Sequence, residues 1–186
     1  MKKLIPLLLF IIILSSCNLF DLREAEKPIN PPPWNSYMTN WDLCLQNLKY
    51  CYEDSRNAVK YISLFTEDFS FRFAAQDVND YNFPVSWNAQ QEQDMLLNLF
   101  AWTDSVQVNL QEIVTQPDNI TATEAKIYRQ YELIRYPSDK SVPQEYQGEL
   151  ELHFIKSGAY WYIRKWFDYR LGSYPTWGKL KYDFSQ

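Results

Sequence analysis

The sequence predicts an α+β fold in which a four-stranded antiparallel sheet is covered on one face by three helices that precede it. Three observations lead to this prediction. Residues 105–170 hold four consecutive long segments rich in aromatic and β-branched residues, each bounded by turn residues. Residues 39–100 hold three segments with apolar side chains at helical spacing. Aromatic residues make up 17% of the chain, which suits strands better than a helical bundle.

The N-terminal residues have the pattern of a secretory signal peptide. Lys2 and Lys3 give the positive start, and residues 4–14 form an uncharged apolar run that is short for a membrane span. The run leads into the sequence Leu-Ser-Ser-Cys, which ends at Cys17. This sequence resembles the lipobox of bacterial lipoproteins, in which an aliphatic residue and two small residues precede a cysteine. The alternatives are an ordinary signal peptide with an incidental cysteine, or an uncleaved anchor.

The lipobox resemblance implies a lipid anchor on Cys17. The thiol would take a diacylglycerol, residues 1–16 would be removed as the signal peptide, and the new amine would be acylated as well, for example with palmitate. Several acyl chains hold a protein on a bilayer where one alone is marginal. Asn18 follows the cysteine, and a residue other than Asp at this place implies the outer membrane if the cell is Gram-negative. The expected location is therefore the cell envelope.

A tether separates the expected anchor from the domain. Residues 17–37 mix charges with prolines, including three in a row at 31–33, and have no apolar period. Proline blocks a helix here and favours an extended, semi-rigid spacer. Residues 38–186 are therefore predicted to form the folded domain.

The net charge argues against a nucleic-acid partner. The whole chain carries a formal charge of −5, and removal of Lys2 and Lys3 with the signal peptide would leave 16 basic against 23 acidic residues, a charge of −7. Binding to a phosphate backbone needs clustered Lys and Arg instead. The membrane, a small apolar or aromatic ligand, an envelope protein and a second copy of the chain are the partners that we consider.

The segments before the sheet are assigned in order. The first helix is expected to start near Thr39, which stands at capping-box spacing from Asp42. Cys44 and Cys51 fall on its apolar stripe, roughly 10 Å apart along the helix axis, which is too far for a disulfide. The remaining predictions are a second helix from residue 58 capped by Asn57, a short strand over 69–73, an irregular stretch over 74–85, and a third helix opened by Asn88 with Gln91 at capping-box spacing.

The four long strands are predicted at residues 105–114, 124–136, 144–156 and 159–170. A two-residue turn at Ser157 and Gly158 makes the last two antiparallel neighbours. Trp177 and Leu180, beyond the last strand, are expected to pack back on the body. Alternation assigns the inner face of the first three strands to Val106, Val108, Leu110, Ala125, Ile127, Arg129, Tyr131, Leu133, Tyr146, Gly148, Leu150, Leu152 and Phe154. The fourth strand is ambiguous, and a bulge could let both of its faces contribute.

The order of these elements resembles the nuclear transport factor 2-like fold, also called SnoaL-like, and small lipoproteins of that superfamily. The resemblance implies a strongly curved antiparallel sheet that wraps three helices into a cone with a pocket at its open end. It also implies that activity is undetermined, because the superfamily includes isomerases, dehydratases and many members without known activity. The segments that carry the resemblance are residues 48–52, 61–73, 93–100, 161–168 and 177–181.

Arg129 stands out because it lies mid-strand on an otherwise apolar inner face. An unpaired buried guanidinium is costly, so either it pairs with a carboxylate or it reaches the pocket and binds an anion. The carboxylates considered are Glu112, Asp68 and Asp168. Tyr131, Tyr162 and Trp87 are the other candidates to line a ligand pocket, although aromatic residues at such positions usually belong to the core.

No motif in the sequence identifies a reaction. His153 is the only histidine, and alternation places it beside glutamates on the outer face, away from any pocket. No histidine cluster, phosphate loop or nucleophile elbow is present, so neither a metal nor a cofactor is expected. Asp68 and Tyr131 are the first candidates for an acid–base pair.

Three functions compete. The first is a non-catalytic lipoprotein that binds a small ligand or a protein. The second is an isomerase or dehydratase that uses an Asp/Tyr acid–base in the cone. The third is a structural or assembly role, such as a homodimer through the outer sheet face.

Overall fold

The computed structural model describes residues 34–54 and 58–185. The predicted signal peptide, Cys17, most of the tether and the Asn57 cap lie outside these residues. The helices are α1 (Trp41–Glu53), α2 (Ala58–Tyr61), α3 (Ala75–Tyr81), α4 (Ala89–Ala101) and α5 (Trp177–Asp183), with a 3-10 turn at Ile62–Leu64. The strands are β1 (Phe65–Arg72), β2 (Ser86–Trp87), β3 (Thr103–Glu112), β4 (Asn119–Ile120), β5 (Glu124–Pro137), β6 (Gln144–Ser157) and β7 (Tyr160–Arg170).

A curved, open seven-stranded sheet carries the fold. The order along the sheet is β2-β1-β7-β6-β5-β3, and β4 pairs with the start of β5. The four long strands β3, β5, β6 and β7 are antiparallel neighbours, as predicted. Strand β1 joins β7 in the parallel sense, which the antiparallel prediction did not include. A parallel partner needs a long crossover, and here the whole stretch between β1 and β7 supplies it.

The inner face of the sheet follows the predicted alternation. Along β5, buried and solvent-facing residues alternate from Ala125 to Pro137, and β6 alternates in the same way from Tyr146 to Phe154. Strand β7 changes face at a bulge, because His153 pairs with Lys165 while Phe154 pairs with Ile163. Trp161 and Ile163 therefore face inward before the bulge, and Trp166 and Asp168 face inward after it.

Two predictions about the helices need correction. Asn40, and not Thr39, caps α1, because its side chain accepts a hydrogen bond from the Leu43 backbone N–H at 2.9 Å. The stretch predicted as irregular contains α3, whose short sequence shows little apolar periodicity. Strand β1 starts at Phe65 and is longer than predicted, because the second helix ends at Tyr61.

Other predicted features of the helical layer are confirmed. Asn88 and Gln91 form a reciprocal capping box at the start of α4. Cys44 and Cys51 are buried free thiols. Trp177 and Leu180 are fully buried on α5, which closes over the cone that the sheet and helices enclose. Among residues 34–54 and 58–185, none of the helices is both long and apolar enough to span a bilayer.

Candidate functional site: a closed polar cluster in the cone

A fully buried ion pair lies in the cone interior. Lys181 from α5 places its Nζ atom 2.7 and 2.8 Å from the two carboxylate oxygens of Glu92 on α4. Both side chains are 0% exposed. Removing two charges from water is costly, so such a pair persists only where further hydrogen bonds and close contacts satisfy the groups.

Aromatic rings surround the ammonium group of Lys181. Its Nζ atom lies 3.4 Å from the ring centroid of Trp166 and 3.7 Å from that of Phe71, which is cation–π distance. Burial lowers the pKa of Lys181 to about 8, and the Glu92 carboxylate opposes that shift. The rings and the carboxylate together replace the water that the ammonium loses.

The Glu92 carboxylate gathers two further donors. Tyr61 O–H donates to Oε2 at 2.6 Å, and Trp87 Nε1–H donates to Oε1 at 2.6 Å. The hydroxyl of Tyr52 lies 3.3 Å from that of Tyr61. Burial raises the pKa of both tyrosines well above the ordinary value, so their hydroxyls stay protonated.

A second buried carboxylate, Asp168 on β7, faces Tyr131 on β5. Tyr131 O–H donates to Oδ1 at 2.7 Å and accepts a hydrogen bond from the Trp177 backbone N–H at 2.8 Å. The Gly178 backbone N–H donates to Asp168 Oδ2 at 2.7 Å. Burial raises the pKa of Asp168 to about 7, although these hydrogen bonds favour the ionised form. The two residues thus hold the start of α5 to the sheet.

A third buried carboxylate, Asp77 on α3, binds the residues next to the start of α5 and the end of β7. Its Oδ1 accepts a hydrogen bond from Arg170 Nε at 2.9 Å, and its Oδ2 accepts one from the Thr176 hydroxyl. Arg170 also pairs with Asp80, at 2.6 Å from Nη1. Helices α3 and α5 and the end of β7 are therefore joined by one network, which fixes α5 over the cone.

Arg129 does not reach a ligand pocket. Its guanidinium forms two hydrogen bonds with Asp118, at 2.9 Å to Oδ1 and 2.8 Å to Oδ2, and lies 3.8 Å from Glu112. Glu112 was among the predicted partners, but Asp68 and Asp168 are engaged elsewhere. Asp118 comes from the turn before β4, and the sequence alone did not indicate that this turn folds back on β5.

The other predicted pocket residues are scattered. Tyr131 and Trp87 lie inside the cone, in the Asp168 and Glu92 groups respectively. Tyr162 precedes the bulge and is only partly buried, on the opposite face of β7 from Ile163. Asp68 is exposed on β1 and pairs with Arg164, 2.7 Å from Nε, so it does not share a pocket with Tyr131.

His153 lies on the outer face, as alternation predicted. Its Nε2 atom contacts the Glu151 carboxylate, and its ring packs near that of Phe167. No group of three or more metal-ligating side chains occurs among the residues that the structure describes.

Sequence reasoning missed Glu92, Lys181 and Asp77, and it considered Asp168 only as a partner for Arg129. Glu92 occupies the fourth position of α4, one turn before the apolar residues Met95 and Leu96, so helical spacing could have placed it on the buried face. Lys181 stands four residues after Trp177, so helical spacing could have placed it on the buried face of α5 as well.

Comparisons with solved structures agree on the fold. A candidate scytalone dehydratase from Novosphingobium aromaticivorans superposes with a TM-score of 0.58 at 14% identity, covering 74% of this chain and 91% of that one. A candidate aromatic ring hydroxylase from the same organism gives 0.58 at 11% identity, with 78% and 94% covered. The Kfla4162 protein of Kribbella flavida gives 0.57 at 10% identity, with 75% and 92% covered.

Sequence comparison adds no closer relative. No protein-family model matches this sequence, and no curated protein matches it either. The superpositions show a shared fold, and at 10–14% identity they carry no activity across. The domain therefore has the nuclear transport factor 2-like α+β cone, with an interior occupied by its own polar side chains.

Proposed function

We propose that this chain is a lipoprotein of the cell envelope, anchored through Cys17, whose domain is a non-catalytic binding module. The observation that carries the proposal is the fully buried Lys181–Glu92 pair, which occupies the cone interior. A substrate pocket needs concave space with a few convergent polar groups that remain open to a ligand. Here the interior polar groups bind one another, so binding falls to the outside of the domain.

The Leu-Ser-Ser-Cys sequence supports the anchored part of this proposal. The positive start, the apolar run and the small residues before Cys17 all fit a lipidation signal. The tether would hold the domain away from the bilayer, where its outer surface can meet ligands or envelope proteins. In a Gram-negative cell, Asn18 would direct the chain to the outer membrane.

A second candidate function is an isomerase or dehydratase that uses Asp168 and Tyr131. The 2.7 Å contact between a carboxylate and a tyrosine inside the cone favours it, and a carboxyl pKa of about 7 suits a general acid–base. Two structures that share the fold are candidate enzymes. This function requires α5 to leave the cone. The backbone N–H groups of Trp177 and Gly178 already form hydrogen bonds with the Tyr131 hydroxyl and the Asp168 carboxylate, which a substrate would have to reach.

A ligand panel separates the two functions. The full-length chain in nanodiscs is incubated with small aromatic and aliphatic compounds, and each mixture is measured by thermal unfolding and by mass spectrometry. A binding module raises the melting temperature with some compounds, leaves all of them chemically unchanged, and keeps these shifts in the Tyr131→Phe variant. A product that forms with the wild type and is absent with Asp168→Asn would overturn the proposal in favour of the enzyme.

A further inference from the structure

An open groove lies outside the cone, between α3 and the outer face of the sheet. We call it the outer groove and define it by Arg72, Phe73, Val78, Val85, Phe167 and Tyr169. Its volume is about 460 Å³. Sites for small molecules usually measure about 300–1,000 Å³ and are lined mainly by apolar side chains, so the outer groove has the size and the lining of a ligand site.

The groove is formed by the outward-facing residues of β7 and by α3, which is held beside that strand. The alternation of β7 turns Phe167 and Tyr169 outward, on either side of the buried Asp168. The Asp77 carboxylate of α3 is held by Arg170 at the end of β7, and this ion pair fixes α3 beside the strand. The floor and one wall of the groove are therefore tied together by a buried carboxylate.

Apolar side chains in the groove remain open to water. Val85 is 57% exposed and Tyr169 is 42% exposed. An apolar ligand that covers them removes this apolar surface from water, which favours binding. The groove can thus hold the body of a small hydrophobic molecule.

Arg72 gives the groove a charge preference. It pairs in register with Phe167, and its guanidinium carbon lies 5.9 Å from the centroid of that ring. Among residues 34–54 and 58–185, no carboxylate lies within ion-pair distance of Arg72. By contrast, the guanidinium groups of Arg164 and Arg170 are each held by aspartates. An unpaired guanidinium on the wall of an apolar groove complements an anion.

We infer that the outer groove binds a small amphipathic anion, an aromatic or aliphatic carboxylate. Its apolar part lies against Phe167, Val85 and Tyr169, and its carboxylate pairs with Arg72. This inference rests on the proposed function, since it gives the binding module a place and a ligand class.

The test compares two probes that share one ring system and are close in size, of which only one carries a negative charge. Naphthalene-2-carboxylate and naphthalene-2-carboxamide are measured by equilibrium dialysis against the full-length chain in nanodiscs, with empty nanodiscs as the blank. We expect the carboxylate to bind saturably with one site per chain, and Arg72→Gln to weaken it about tenfold. The carboxamide should bind more weakly than the carboxylate and change little in that variant.

Matched variants control for folding and for nonspecific binding. Val85→Trp fills the groove at an exposed position and should abolish binding of both probes, whereas Val142→Trp, at a residue that is 81% exposed and outside the groove, should not. Arg164→Gln removes an exposed arginine from the same sheet without changing either affinity. Circular dichroism shows that each variant is folded.

The inference is overturned if neither probe binds saturably, or if Arg72→Gln and Val85→Trp leave the affinities at the wild-type value. These outcomes differ from a failure of the proposed function, which is the appearance of an Asp168-dependent product. If carboxylate binding is lost in Tyr131→Phe and kept in Val85→Trp, the ligand lies in the cone and the outer groove is excluded.

Discussion

Asp168 is a single buried residue whose pKa makes the stability of the fold depend on pH. Its carboxylate accepts hydrogen bonds from Tyr131 and the Gly178 N–H, yet burial still raises its pKa to about 7. Because the folded state holds this proton more tightly than the unfolded chain, the contribution to stability is complete below about pH 4 and is lost as the pH rises through about 7.

The Asp168→Asn variant tests this assignment. The variant has no titrating group at this position, so its free energy of unfolding should lack this dependence on pH. Between pH 4 and pH 8, the free energy of unfolding of the wild type should fall by about 4 kcal/mol relative to that of the variant. Urea unfolding at several pH values measures the difference. The exposed Asp68 is the control, because its pKa is lowered and Asp68→Asn should change nothing between pH 5 and pH 8. A constant difference between the wild type and Asp168→Asn would contradict the raised pKa.

Individual residues also mark the limit of what the sequence predicts. Alternation placed Arg129 and Tyr131 on the inner face and His153 on the outer one, because the period of a strand is fixed by its backbone. It could not predict Asp118 as the partner of Arg129, since that contact depends on how a turn folds back over β5. Polar partners that are distant in sequence are set by tertiary geometry.

Helix α5 is the element that closes the cone. Its attachment depends on Lys181, on backbone N–H groups bound to Tyr131 and Asp168, and on Thr176, which caps the helix by accepting a hydrogen bond from the Lys179 N–H. Its apolar residues Trp177 and Leu180 were predicted to pack on the body. The burial of Lys181 was not predicted, because a lysine is almost never fully buried unless it is paired.

The Lys181→Met variant tests how the ion pair contributes to this attachment. Removing one partner leaves the Glu92 carboxylate buried and unpaired, so we expect a loss of about 3–5 kcal/mol in the free energy of unfolding. Adding Glu92→Gln removes the charge and keeps an oxygen acceptor for Tyr61 or Trp87, so the double variant should recover part of that loss. Urea unfolding measures both. A double variant less stable than Lys181→Met would contradict the account of the pair.

The sheet elements were the most predictable part of the fold. All four long strands were predicted within two residues of their observed ends, because aromatic content, alternation and turn residues agree there. Strand β1 and helix α3 were less predictable. Residues 65–68 fit the end of a helix as well as the start of a strand, and the parallel pairing with β7 decided between them.

The whole molecule is proposed to be a domain held on a membrane by lipid. The Cys17→Ser variant should stay out of the lipoprotein pathway, so it should lose incorporation of radiolabelled palmitate. Cys44→Ser is the matched control, because it removes a buried thiol from the domain and leaves the lipobox intact. Labelled palmitate on the Cys17→Ser chain would contradict lipidation at this residue.

A homodimer through the outer sheet face stays a prediction that size measurement can check.

We conclude that the cone is closed and filled by its own side chains. The most direct test of this conclusion is the reactivity of lysines in the folded chain toward sulfo-NHS acetate at pH 8, read by mass spectrometry. Burial is what lowers the pKa of Lys181, and the amine can be acetylated only if the reagent enters the cone. We predict that Lys181 reacts at least about a hundredfold more slowly than Lys140, whose side chain is 76% exposed, and that urea removes the protection. Acetylation of Lys181 at a rate near that of Lys140 in the folded chain would show that the cone is open and would contradict the account.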